Sequence, residues 1–143
     1  MARDNGSYDD LFAVRKRRLI ARLAMETASV AFGAPMERLA SSQRCGAQVA
    51  LARQAAMYLA HVVGQLPLSS ISTEFNRDRT TVSHACHLIE DRRDSPMFDM
   101  QIEILETYLR ERLNTAVPEL TPGQSDRSRT RRAAASISYK PCR

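Results

Sequence analysis

Asp78, Ser83 and His84 are the residue types of an orienting acid, a nucleophile and a base, and they stand within one short segment. A hydrolytic triad needs its groups to converge on one substrate atom. Side chains strung along a single short helix diverge, so Ser-His-Asp chemistry is not expected of these three. His84 and His87, three positions apart, could begin a metal set, yet no acid or second cysteine is organised beside them. Cys86, between them, falls on the apolar side of the same helix and reads as a small core residue. No metal site and no cofactor site is expected. What this segment can do is hydrogen-bond outward. Arg79, Thr80, Ser83, His84 and His87 recur at the spacing that gathers side chains on one side of a helix. Their donors, acceptors and methyl group match the edges and phosphates of a duplex.

The elements that must position this face follow from periodicity and punctuation. Residues 1–8 are expected to be a disordered N-terminus. From Asp9 to Phe32, apolar residues such as Leu11, Phe12, Leu19, Ile20 and Leu23 recur at helix spacing, and Gly33 and Pro35 end the run. A short turn of helix, Met36–Ala40, follows. The stretch Ala47–Val63 is apolar nearly all round, with Arg53 its only full charge, so it belongs at the centre of a helical cluster. Gly64 and Pro67 close it. Ser69–Phe75 is a short helix and Asn76-Arg77-Asp78 a turn, with Asp78 placed to cap the helix Arg79–Arg92. Val82, Cys86 and Ile89 mark the buried stripe of that helix. Ser95-Pro96 starts a last helix, with apolar positions at Met97, Met100, Ile104, Leu105, Tyr108 and Leu109. The domain therefore spans 9–114, and 115–143 reads as a disordered basic tail. A short helix, a tight turn and a second helix with a polar outer face make a helix-turn-helix in an all-α bundle, entered through a long N-terminal connector helix.

The chain has 143 residues and a formal net charge of +5. Its middle, 36–112, is nearly neutral, with nine arginines against ten acids, so the basic character sits in the flanks. The run Arg15–Arg18 and the tail's Arg127, Arg129, Arg131 and Arg132 are candidates for phosphate contact or for plain solvation. Cys45, Cys86 and Cys142 are odd in number, without CxxC spacing, which fits reduced thiols rather than a disulfide framework. The polar N-terminus has no apolar h-region and no run reaches membrane-spanning length, so a cytoplasmic, nucleoid-associated location is expected.

The string Phe75-Asn76-Arg77-Asp78-Arg79-Thr80-Thr81-Val82-Ser83-His84-Ala85 resembles the signature of the C-terminal domain IV of the bacterial replication initiator DnaA, roughly F-G-x-R-D-H-T-T-V-x-H-A. Upstream, Ala52-Arg53-Gln54 followed by Ala56-Met57-Tyr58-Leu59 is similar to that family's A-R-Q-x-A-M-Y-L helix. The resemblance covers about residues 19–110 and implies a DnaA domain IV or TrpR-like bundle. It implies that Arg53 enters the minor groove and that Asp78 accepts from a cytosine amino group. It further implies that Thr80 offers its methyl to thymine and His84 reaches a base edge, while Thr81 and Arg77 hold phosphate or cap the helix. Three departures stand out. Arg79 replaces the family's histidine, Asn76 alone replaces a Gly-x pair, and the loop before the central helix keeps one basic residue, Arg44.

The family's ATPase signature, GxxxxGK[ST], does not occur in the sequence. The expected function is therefore sequence-specific binding of double-stranded DNA at DnaA-box-like sites, regulating replication initiation without ATPase or other enzymatic activity. The alternative is a protein-interaction regulator of DnaA or of the ATPase that inactivates it, docking through the first helix. A third reading is a nonspecific nucleoid protein driven by the tail. No small-molecule substrate is implied.

Overall fold

A computed structural model describes residues 6–41 and 43–116. These form six helices and, among the described residues, no strand: α1 (Gly6–Phe32), α2 (Met36–Ala40), α3 (Ala47–Val62), α4 (Leu68–Phe75), α5 (Arg79–Arg92) and α6 (Pro96–Ala116). The all-α expectation holds. The reach of the first and last helices is greater than periodicity suggests. α1 begins at Gly6, so part of the stretch assigned to a disordered N-terminus is helical, since extending an existing helix costs far less than nucleating one. Thr115 and Ala116 continue α6, and the rest of the tail lies outside the described residues.

α3 is the centre because it has almost no polar side to turn outward. Ala52, Ala55, Ala56, Met57, Tyr58, Leu59 and Ala60 are all buried, and α3 touches every other helix. Small residues let neighbours approach closely. At Gly64 an added Cβ would collide with Ile20 of α1 and with the Ala60 carbonyl, so only glycine fits that crossing. Gly33 ends α1 with φ of 63°, the left-handed cap conformation.

α5 packs against α3 and α4 through Val82, Ala85, Cys86 and Ile89, which are all buried. Its C-terminal end is tied down by charge. Arg93 Nη1 donates to Glu106 Oε1 at 2.5 Å and to the Tyr58 hydroxyl at 2.8 Å, while its Nε meets Asp99 Oδ1. Burial opposes the charge on Arg93, but Asp99, Tyr58 and Glu106 outweigh it and hold the guanidinium's pKa above its usual value. Arg17 of α1 reaches Glu74 of α4 at 2.8 Å. One member of the Arg15–Arg18 run is thus spent on joining helices, while Arg15, Lys16 and Arg18 stay exposed.

α6 carries two apolar sides. Ile102, Leu105, Leu109 and Leu113 are buried. Met97, Met100, Ile104 and Tyr108 lie on the other side, from 49% to 85% exposed. Apolar character alone does not separate a core stripe from a solvent-facing one on this helix.

Candidate nucleic-acid interface

The site is built on the α4–α5 corner. α4 ends because Asn76 adopts left-handed geometry, φ 51° and ψ 51°, which asparagine tolerates better than most residues. The turn is closed from both sides. The Arg77 amide donates to the Ser72 carbonyl at 3.0 Å, and the Ser72 hydroxyl donates to the Arg77 carbonyl. A single left-handed asparagine thus completes a turn one residue shorter than the family pattern.

Asp78 stands at the N-cap of α5 with extended backbone, and its carbonyl accepts the first helical bond from Val82. Its carboxylate makes no capping hydrogen bond. The capping expectation is met in position but not in bonding. The charge still favours the positive end of the helix, and the exposed carboxylate keeps its acceptors for something outside the fold.

Beyond the cap, Arg79, Thr80, Thr81, His84 and His87 are exposed, and Ser83 is half-buried beside them. The face expected from periodicity stands clear of the core. His87 lies 3.6 Å from Glu90 on its own helix. Among the described residues, no three His, Cys, Asp or Glu side chains group as metal ligands. The arrangement offers a row of donors and acceptors at the open end of a helix, the shape and chemistry that a major groove accepts.

Arg53 and Arg77 make contacts within the fold. Arg53 Nε donates to the Leu39 carbonyl at 3.0 Å. Its Nη2 lies 2.7 Å from the Arg38 carbonyl, 3.0 Å from the Ser41 carbonyl and 3.4 Å from Cys45 Sγ. Entering a minor groove would break all of these contacts. As placed, Arg53 braces the connection between α2 and α3. Arg77 Nη2 donates to the same Ser41 carbonyl at 2.6 Å, and its Nε is buried without a hydrogen-bond partner. Arg77 is thus tied to a carbonyl 36 positions away in sequence. Both roles came from family resemblance, and neither could be read from spacing, because the acceptors are backbone oxygens of a distant segment. Arg93 was missed altogether. Its signal, a basic residue just past the end of α5, is one that many solvated arginines share.

The match to known proteins can now be set against this geometry. Residues 23–89 match the family model described as the bacterial DnaA protein helix-turn-helix. That span runs from the middle of α1 almost to the end of α5 and includes the whole corner. The chain is DnaA domain IV-like. It is 35% identical over 103 residues to the chromosomal replication initiator protein DnaA of Herminiimonas arsenicoxydans. It is 29% identical over 102 residues to that of Thermoanaerobacter sp. strain X514. Each alignment covers 71% of this chain but only 22% and 23% of the relatives, so the chain spans under a quarter of their length. Two solved structures share the fold. A DNA replication initiation factor superposes with a TM-score of 0.63 at 28% identity. A replication initiator DnaA bound to AMPPCP and single-stranded DNA superposes with 0.62 at 27%. In both cases 69% of this chain and 30% of the other are covered. Among the described residues no helix is long and apolar enough to cross a membrane.

Proposed function

We propose that this chain binds double-stranded DNA at DnaA-box-like sites through α5 and thereby regulates initiation of chromosome replication, with no ATPase or other catalysis of its own. Asp78, Arg79, Thr80, Ser83, His84 and His87 face base edges, and Thr81 lies at the phosphate margin. One observation carries the reading: the outer face of α5 is polar, exposed and held by a closed turn. Base contact from such a helix distinguishes sites, whereas phosphate contact supplies affinity common to all sequences. Such a domain would occupy boxes without opening the duplex, competing with the initiator or tuning transcription. In gel shifts, His84→Ala weakens binding to a DnaA-box duplex by about 1–3 kcal/mol, with little change on a scrambled duplex. Equal, weak binding of the parent protein to both duplexes would sink the reading.

The second reading, an interaction module acting on DnaA or on the ATPase that inactivates it, is favoured by the exposed apolar row Met97, Met100, Ile104 and Tyr108 on α6. Contiguous apolar surface of this kind marks protein contact sites. The first helix, where docking was expected, also exposes apolar side chains, at Tyr8, Leu11 and Val30. Binding of purified initiator by the parent protein, lost in an Ile104→Glu variant that still binds DNA, would favour this reading.

A further inference from the structure

The outer side of α6 carries an apolar row that the described residues leave uncovered. Met97, Met100, Ile104 and Tyr108 are all exposed. Steps of three, four and four residues set them in one stripe along the helix. Ile102, Leu105, Leu109 and Leu113 form the opposite, buried stripe. The row is held ready at one end. Arg112 lies 5.7 Å from the centre of the Tyr108 ring and pairs with Glu26 of α1 at 3.4 Å, which keeps the ring at the surface.

One edge of this row is charged, and its two halves differ in sign. Asp99 and Glu103 follow that edge toward the start of α6, and Arg110 follows it toward the end. Asp99 is already held by Arg93. Glu103 is exposed and Arg110 half-buried. Seven positions of helix separate these two by about 10 Å, too far for them to pair with each other. Among the described residues no ion pair joins either of them to another side chain. An apolar row bordered by an acidic half and a basic half is complementary to its own reverse.

We propose that this face of α6 binds a second copy of the chain, α6 against α6 and antiparallel, about a two-fold axis near Ile104. Ile104 then meets its own counterpart, and Met100 of each copy meets Tyr108 of the other. Arg110 of each copy reaches the acidic half of the other's edge, at Glu103 beside Asp99. A two-fold contact needs only one self-complementary patch. A thioether against an aromatic ring is favourable, and opposite charges at the rim fix direction and register more than they add affinity. Parallel pairing would instead set Arg110 against Arg110 and Glu103 against Glu103, which negative design of this kind rejects. One helix face is small beside a standard interface, so the dimer is weak. The core lies within a single copy, so the fold does not depend on it. The pairing is independent of the proposed DNA binding, and it assigns the row to a second copy in place of the initiator.

Sedimentation velocity on the full chain tests the pairing. Between about 5 µM and about 500 µM, a range that spans weak association, the parent protein is expected to shift from monomer toward dimer. Ile104→Glu is expected to stay monomeric throughout, while melting in dilute solution as the parent does, which shows that its fold is intact. Glu103→Arg and Arg110→Glu are each expected to weaken association by about tenfold, and the double variant to recover most of that loss, because the exchanged charges meet again across the two copies. Within one copy the two positions are too far apart to rescue each other. A parent protein that is monomeric at the highest concentration overturns the proposal. If it then binds purified initiator and Ile104→Glu does not, the row belongs to the initiator. An Ile104→Glu variant that dimerises as the parent does overturns it equally, and losses that add in the double variant rule out the antiparallel pairing.

Discussion

At the scale of single residues, what a side chain is free to do depends on what it has already spent. The carboxylate of Asp78 is exposed and uncapped, whereas the guanidinium of Arg53 is consumed by carbonyls within the fold. The same accounting makes Arg93 and Glu106 a structural pair. Their side chains are only 15% and 11% exposed, and the Tyr58 hydroxyl lies 3.3 Å from the same Glu106 oxygen. Removing one partner of such a pair leaves the other buried and unpaired, which costs several times the worth of a surface ion pair. Glu106→Ala therefore destabilises the fold by about 3 kcal/mol in denaturant titration. Glu26→Ala, on more exposed pairs with Arg22 and Arg112, costs under about 1 kcal/mol. Comparable losses for the two variants would remove Arg93 and Glu106 from their bracing role. The pair was not legible in the sequence, because Tyr58 lies 35 positions and Glu106 13 positions from Arg93, and no local pattern joins them.

At the scale of elements, legibility followed the strength of the period. α5 alternates sharply between Val82, Ala85, Cys86 and Ile89 inside and Arg79, Thr80, His84 and His87 outside, and its limits and both faces could be read directly. α3 was equally plain, since a helix apolar all round has to be buried. The turn was legible in Asn76, whose residue type tolerates the left-handed conformation that the chain adopts there. α6 was not, because its apolar residues cover two sides and only packing against α1 and α3 chooses between them. That choice has a measurable consequence. Ile104, 62% exposed, tolerates replacement by glutamate with no more than about 0.5 kcal/mol of destabilisation. Ile102, fully buried two positions earlier, loses about 2–5 kcal/mol when cut to alanine. Thermal melts of the two variants check this. An Ile104→Glu variant as damaged as Ile102→Ala would mean that the exposed row is in fact covered.

At the scale of the whole molecule, the side chains that hold the fold are distinct from those left exposed on α5. α1, α3 and α6 supply the apolar mass, and Arg17, Arg93, Arg53 and Arg77 are spent on joining one segment to another. On α5, Arg79 is exposed at the N-terminal end and Arg92 at the other. With a nearly neutral middle, long-range attraction to a polyanion is weak, and selectivity has to come from contact. Fold class and the exposed polar face of α5 were therefore open to sequence reasoning. The distribution of labour among the arginines was not, because it depends on where backbone carbonyls of remote segments pass.

The central claim is that α5 discriminates base sequence with its own side chains, and selection from a pool of randomised duplexes tests it most directly. The parent protein is expected to enrich a DnaA-box-like motif, and Arg79→His to change the preferred base at one position of that motif while leaving the rest intact, since an arginine and a histidine present different donors to the same base edge. Enrichment of no motif by the parent protein, or of the same motif by both proteins at every position, would contradict the account.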